Sequence, residues 1–373
     1  MKPSFLLRKT FILIWVLLGS PLVWGDLAYC GEARPSQLAE WEKTVSAAQR
    51  EGKLTIYGNT GYEPIFAEFQ KKYPGINVVY VTGTGSSDVM PRMLGEQRAE
   101  KYLGDIYLAG VNGMEVLLGA KALDPLTPTL TLPEVVDKSK WWHGEHDYLD
   151  AEKLYVFVFN GPFRVDVVYN RNLVDPKELK SYWDLLNPKW KGKIEMFSNI
   201  SAPHKFFYYH PDLGPKFLNR LFSEMQVTLS GNMHQIADWL GVGKFALAIA
   251  ASQHTEVHKA QVQGLPIGLF NLNQFKEGVS LTSGTGAVAL LKRAPHPNAA
   301  KVAVNWLLSR EGQISFQKHF LNADSFRIDI PKDEIPPEFR RQDGIKYLDV
   351  DRLEFGPKPI RDLMIKFGAK PAR

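Results

Sequence analysis

The stretch KLTIYGNTGYEPIFAEFQKKYPGINVVYVTGTGSSD, residues 53–88, decides the fold class. It reads as an apolar strand, a glycine turn, a helix that ends at Pro74 and Gly75, and a second strand with a second glycine turn. The second turn is not the dinucleotide-binding pattern GxGxxG, because Asp88 stands in place of the third glycine. We therefore expect the glycines to allow sharp turns at the carboxyl ends of parallel strands, where open α/β sheets bind ligands.

The same alternation of strands and helices continues along the chain. Strands are predicted at DIYLAG, RVDVVYN, KIEMFSN, FALAIAAS and IGLF, and helices at LAEWEKTVSAAQREG and HTEVHKAQVQG. WDLLNPKWKG predicts a helix and a turn, VSLTSGTGAVALL a long strand kinked at its glycines, and HPNAAKVAVNWLLSREGQISFQKHF one amphipathic helix. Alternating elements predict parallel sheets with crossover helices. Because 373 residues exceed one such unit, the pattern predicts two α/β lobes with a cleft between them.

The first 33 residues have the layout of a secretory signal peptide. Arg8 and Lys9 precede the apolar run TFILIWVLLGS, which is shorter than the roughly 20 residues of a membrane span. Small residues allow cleavage after residue 25 or after residue 33. Two alternatives stay open, an uncleaved anchor and lipidation at Cys30, the only cysteine. Lipidation is the less favoured reading of this cysteine, because Tyr29 stands where bacterial lipoproteins have a small residue.

Charge and motifs argue against two classes of function. The chain has 45 Lys and Arg against 40 Asp and Glu, and no basic run is interleaved with aromatic residues, so nucleic acid is not the expected partner. The sequence lacks the G-x-S-x-G elbow and the complete S-x-x-K set of serine enzymes. We therefore expect a binding protein without a cofactor, with an exported hydrolase as the less favoured alternative.

Four segments together resemble a known family. IYGNTGYEPIFAEFQKKYPGINV, DIYLAG, VDVVYNRNLV with WDLLNPKWKGKIEM, and APHPNAAKVAVNWLLSREGQ occur in order within residues 50–330. They resemble the extracellular solute-binding proteins of ABC importers, in the branch that includes the ferric-ion-binding proteins. The resemblance implies a type II periplasmic-binding-protein fold, in which two crossover strands join two α/β lobes around a ligand cleft. We expect the crossings near Arg164–Tyr169 and Leu281–Val288. The first lobe would then comprise residues 50–165 and 275–330, and the second residues 166–274 and 331–373.

The resemblance also implies a function. The protein would be a monomeric periplasmic receptor that captures a small anionic or polar organic solute and delivers it to the membrane permease of an ABC importer. Helix starts at the strand ends expose N–H groups that favour an anion. The expected ligand-binding residues lie at strand ends and crossings. They are Asn59, Thr60, Tyr62, Ser86 and Asn112 in the first lobe, and Ser201, Ser252, Gln253, His254 and Ser283 in the second lobe and the crossings.

Ferric-ion transport is the alternative function. The resembled iron carriers bind the metal with two adjacent tyrosines, but AASQH, residues 250–254, stands where that pair is expected. Tyr208 and Tyr209 would be the ligands if the protein carries iron, although we expect them on a packed aromatic helix face. A second group of potential metal ligands, His143, Glu145, His146 and Asp147, lies in a segment that predicts a solvated loop.

Overall fold

The structure is a computed structural model, which describes residues 35–83, 86–251, 255–284, 286–320, 323–335, 339–351 and 353–368. The expected signal peptide and Cys30 lie outside these ranges. Among the helices within them, none combines the length and the apolar character that crossing a membrane requires.

The elements follow the alternation that the sequence predicts. Within the described ranges the strands are β1 (Lys53–Asn59), β2 (Asn77–Gly83), β3 (Ile106–Ala109), β4 (Leu123–Asp124), β5 (Asp147–Tyr148), β6 (Val156–Val158), β7 (Phe163–Arg164), β8 (Val167–Asn170), β9 (Ile194–Phe197), β10 (Thr228–Ser230), β11 (Leu247–Ile249), β12 (Ile267–Leu269), β13 (Val279–Leu281), β14 (Ala287–Leu291) and β15 (Tyr347–Asp349). The α-helices there are α1 (Pro35–Glu51), α2 (Glu63–Lys72), α3 (Ser86–Arg98), α4 (Val111–Gly119), α5 (Pro133–Val136), α6 (Ala202–Tyr209), α7 (Gly214–Glu224), α8 (Met233–Gly241), α9 (Thr255–Val262), α10 (Pro297–Leu308), α11 (Arg310–His319) and α12 (Lys358–Lys366).

Two main sheets form the two lobes. In the first sheet the strand order is β2-β1-β3-β14-β6-β5, with β4 beside β14, and β1 is parallel to both β2 and β3. In the second sheet the order is β10-β9-β11-β8-β12, and β9 is parallel to both β10 and β11. Continuous burial along β3 and β11 is typical of strands that are covered on both faces.

The chain crosses between these sheets twice. It leaves the first sheet after β6 and enters the second at β8, and it returns between β12 and β14. The crossings carry β7 and β13, which pair with each other, and β15 joins β13 to complete a third sheet of three strands. This confirms the two-lobed type II fold. The expected crossings were slightly too long, since Tyr169 already lies in β8 and Val288 in β14.

Three elements differ from the sequence-based prediction. The long helix expected from residue 296 is two helices, because Ser309 has an extended backbone and its hydroxyl accepts the Gly312 N–H at 3.2 Å, so it caps α11. The expected long kinked strand is two strands, β13 and β14, in different sheets. The expected helix at WDLL is a 3₁₀ helix, Tyr182–Leu186, followed by another at Pro188–Trp190.

Candidate functional site

Three of the predicted residues of the first lobe, Asn59, Ser86 and Asn112, lie at one edge of the first sheet. Parallel pairing places Asn59 beside Gly83, and Gly58 beside Leu108, so β1, β2 and β3 end together. Helices α3 and α4 begin just beyond these ends. This places Ser86 and Asn112 at the same edge, although their side chains lie outside the described part of the structure.

The second crossing passes against this edge. A Cβ on Gly110 would lie 2.2 Å from the carbonyl oxygen of Gly284, so only glycine allows the approach. Ser283 is therefore held close to the start of α4. It is buried, its N–H donates to Asp351 Oδ2 at 2.5 Å, and its hydroxyl has no hydrogen-bond partner among the described residues.

The residues after β1 divide into two environments. Asn59 is half-buried, and its side-chain oxygen has no hydrogen-bond partner in the described ranges, while Thr60 is exposed in the turn. Tyr62 differs from expectation: its ring is fully buried and lies 4.8 Å from the ring of Phe320. Its aromatic partners make it a core residue in this structure.

The start of α2 also differs from the expected anion site. The carboxylate of Glu63 accepts the N–H of Gly61 at 2.7 Å, and the next residue, Pro64, has no N–H to offer. This helix start therefore has a negative charge and few free donors. An anion is better placed elsewhere in the cleft.

The second sheet has an equivalent edge. The parallel strands β9, β10 and β11 end together, and the N–H of Ser198 donates to the Ser230 carbonyl at 2.9 Å. Ser201 caps α6, and His204 Nδ1 accepts its N–H at 3.3 Å. Burial lowers the pKa of His204 to about 4, so the neutral ring donates from Nε2 to the Phe197 carbonyl. These bonds fix the loop after β9.

Three predicted residues follow β11, namely Ser252, Gln253 and His254. They lie outside the described residues. What the structure does show is that β11 ends beside β9, at the edge that carries the Ser201 loop.

Three charged residues near the crossings were not predicted from the sequence, namely Glu115 on α4, Lys205 on α6 and Asp351. Burial raises the pKa of Glu115. The positive charge of Lys205 opposes this shift, and the negative charge of Asp351 adds to it. Glu115 and Lys205 thus lie near each other although they belong to different lobes, and they form no direct ion pair in the described structure. One sequence signal was available: Glu115 is three residues after Asn112, on the same face of α4.

The tyrosine pair faces the C-terminal part of the chain. The Tyr209 hydroxyl donates to the Gly356 carbonyl at 2.7 Å, and its ring stacks on Phe355 with centroids 4.4 Å apart. Burial, with a contribution from Tyr208, raises the pKa of Tyr209. The pair is therefore part of a packed aromatic face of α6, as expected, and the raised pKa of Tyr209 disfavours its phenolate form as a metal ligand.

Two of the potential metal ligands between residues 143 and 147 make structural contacts instead. Glu145 pairs with Lys138 at 2.8 Å, and His146 Nε2 donates to the Val135 carbonyl at 2.9 Å. Burial lowers the pKa of His146. Within the described ranges, no three His, Cys, Asp or Glu side chains are arranged to hold a metal ion.

A cavity of about 300 Å³ lies beside the second crossing. It is predominantly acidic: its charged lining residues are Asp147, Asp150, Lys153, Asp349, Asp351 and Glu354. Such a lining repels anions, so the expected anionic group of a solute does not belong here.

Comparison with known proteins agrees with this geometry. Residues 52–314 match the family model of the bacterial extracellular solute-binding proteins. Many solved structures are similar in fold. The Trichodesmium protein IdiA (FutA), in complex with iron and citrate, is 21% identical, with a TM-score of 0.64 over 86% of this chain and 100% of that chain. AfuA of Actinobacillus pleuropneumoniae, with fructose-6-phosphate bound, is 16% identical, with a TM-score of 0.55 over 85% and 97%. The spermidine/putrescine-binding protein PotD of Streptococcus pneumoniae is 16% identical, with a TM-score of 0.58 over 85% and 98%.

Proposed function

Since this chain belongs to the bacterial extracellular solute-binding protein family, we propose that it is a periplasmic receptor of an ABC importer. The signal peptide, residues 1–33, directs its export, and the mature monomer carries one small solute to the membrane permease. The first lobe comprises residues 50–165 and 275–330, and the second comprises residues 166–274 and the end of the chain from residue 355. The part that begins at residue 331 starts on the first lobe, where Arg341 packs on Trp142 and Phe326. No cofactor takes part.

The meeting of two sheet edges at the crossings carries this proposal. Parallel strands of each lobe end toward the crossings, with Asn59 on the first lobe and Ser201 on the second. A solute shifts the balance between open and closed forms only through contacts that differ between them, so it must contact both lobes. We propose that the solute site is formed at these two edges and at Ser283 of the second crossing. Its residues at the first edge are Asn59, Thr60, Ser86 and Asn112, and those at the second edge are Ser201, Ser252, Gln253 and His254.

The charges suggest the chemistry of the solute. Lys205 lies in the first turn of α6, where the helix N-terminus also favours negative charge, so an acidic group belongs on the second lobe. Glu63 and Glu115 give the first lobe a negative character that suits amino or hydroxyl groups. We propose a polar organic solute that has an acidic group at one end and hydrogen-bond donors at the other.

We predict that Lys205→Gln weakens solute binding about tenfold or more, because a charge-assisted hydrogen bond contributes about 1.5–3 kcal/mol. Native mass spectrometry of the purified protein identifies the co-purified solute, and calorimetry with that solute then gives the dissociation constants. The matched control is Lys216→Gln, an exposed lysine on α7 of the same lobe. An equal loss in both variants, or unchanged binding in Lys205→Gln, contradicts the proposed site.

We also predict that ferric citrate produces no visible tyrosinate-to-iron absorption when it is titrated into the pure protein. The Tyr209 phenol is engaged with Gly356 and has a raised pKa, which opposes the phenolate form that iron requires. An absorption spectrum through the titration is the measurement. A purple complex that Tyr208→Phe abolishes would overturn the organic-solute proposal and restore iron transport.

A further inference from the structure

The C-terminal part of the chain begins its path on the first lobe. The Arg341 guanidinium lies 5.0 Å from the ring centroid of Trp142 and 4.8 Å from that of Phe326. It also donates to the Asp324 carbonyl at 2.7 Å. Trp142 follows the buried Trp141 of the first lobe, and its N–H donates to the Phe326 carbonyl. Arg341 is therefore anchored to the first lobe by stacking and by hydrogen bonds.

The next part of this segment pairs with the second crossing. Strand β15 runs parallel to β13, and the Val279 N–H donates to the Lys346 carbonyl while the Val350 N–H donates to the Leu281 carbonyl, both at 2.9 Å. Gly278 has a φ of +89°, and a Cβ there would lie 2.2 Å from the Lys346 oxygen. The contact thus requires glycine at this position.

The last part packs on the second lobe. Phe355 stacks on Tyr209 of α6, and the side chains of Ile360 and Met364 on α12 are fully buried. They pack against Tyr208 and Phe222, from α6 and α7. The C-terminal segment therefore contacts the first lobe, the crossing and the second lobe in that order.

Asp351 joins this segment to the crossing at its centre. Its Oδ2 atom accepts the Thr282 hydroxyl at 2.8 Å and the Ser283 N–H at 2.5 Å. Its own N–H donates to Asp349 Oδ1 at 2.9 Å, which fixes the backbone that carries it. Two donors of the crossing thus share one carboxylate oxygen of the segment.

We propose that the C-terminal segment, described over residues 339–351 and 353–368, is a strap that links the two lobes a third time. Asp351 is its positioning residue: it holds Thr282 and Ser283 in the backbone shape that the second crossing has in this structure. A hinge that closes on a solute must change backbone torsions at the crossings, so a carboxylate bound there biases which lobe arrangement is populated. The inference rests on the proposed function, because it assumes that the lobes move.

The test measures the distance between the lobes without any solute. Spin labels at Lys71 on α2 and Lys216 on α7 report one distance distribution, since both positions are exposed and lie in different lobes. Asp351→Ala is expected to raise the population of the minor lobe arrangement about tenfold, which corresponds to about 1.4 kcal/mol. Asp351→Asn, which keeps an acceptor oxygen, is expected to give a smaller change in the same direction.

The control is Asp362→Ala, which removes an exposed carboxylate of α12 that pairs with Lys358. It is expected to leave the distance distribution unchanged. A merely structural role of Asp351 predicts a lower melting temperature with the wild-type distribution, and that result overturns the proposal. If Asp351→Ala does not fold, Thr282→Val removes one of the two donors at constant size and must shift the distribution. The two failures can be told apart. If the proposed function is wrong, the wild-type protein binds no solute, whether or not the Asp351 variants change the distance between the lobes.

Discussion

Replacing Asp324 with alanine is expected to lower the free energy of unfolding by about 3–5 kcal/mol, because it removes a buried anion from between two cations. Asp324 is 3% exposed, and its Oδ1 lies 2.7 Å from Lys332 Nζ and 3.2 Å from Arg341 Nη2. Its Oδ2 accepts the backbone N–H of Arg341 at 2.7 Å. Burial already lowers the pKa of Lys332 to about 8, and Asp324 opposes that shift. Without the carboxylate the Lys332 ammonium has lost its only buried counter-charge within 4 Å among the described residues. Urea denaturation at pH 7 measures the loss.

The matched control is Asp333→Ala, nine residues further along the chain, where the side chain is exposed. We expect this change to stay within about 0.5 kcal/mol, as for most surface substitutions. The double variant Asp324→Ala with Lys332→Met removes both charges and should recover part of the loss. A loss in Asp324→Ala no larger than in the control would show that the network adds nothing to stability.

The sequence was informative where structure depends on local pattern. Apolar strands that alternate with helices predicted the parallel strands of both sheets, but not the antiparallel strands β14 and β8 that pair with them. The rule for strand ends placed Asn59 at the edge of the first sheet. Ser201 lies at the end of β9 for the same reason. A serine also marked the error in the longest predicted helix. Ser309 is a strong N-cap residue, so the periodic pattern across it belongs to two helices, α10 and α11.

The parts that could not be predicted depend on residues far apart in the chain. Tyr62 follows a glycine turn like an exposed ligand residue, but its burial is decided by Phe316 and Phe320, about 250 positions away. Asp351 looks like any loop aspartate until β15 pairs with β13 and brings it to Ser283. Periodicity contains no information about such pairings. The resemblance to a family supplied the crossings, but not the strap.

The second large effect concerns Glu195, in the middle of the second sheet. Its neighbours Ile194 and Met196 face the main core, so its own side chain faces the opposite side of the sheet, together with its pairing partner Ala248. That side holds the apolar cluster of α8 and α9. Glu195 is fully buried, and neither carboxyl oxygen has a hydrogen-bond partner among the described residues. A charge there is costly, so the carboxyl group is expected to remain protonated near neutral pH.

Burial raises the pKa of Glu195 to about 8, and the nearby Lys244 offsets only part of this shift. In the unfolded chain the ordinary value is 4.5. Between these two values the folded protein holds a proton that the unfolded chain has lost, so rising pH favours unfolding. Stability is therefore expected to fall through this window by about 1.4 kcal/mol per pH unit. Below pH 4.5 both states are protonated, so the group then adds no pH dependence to stability.

We predict that Glu195→Gln removes this dependence. The variant should match the wild-type protein near pH 5 and exceed its free energy of unfolding by about 3 kcal/mol at pH 7.5, since the neutral amide has nothing to ionise. Urea denaturation at several pH values from 5 to 8 measures both curves. Glu152→Gln, at an exposed loop position, is the control and should run parallel to the wild-type curve. A Glu195→Gln curve that is also parallel to the wild-type curve would contradict this prediction. It would mean that the Glu195 carboxyl group ionises at its ordinary pKa, and that water or a movement of α8 solvates the charge.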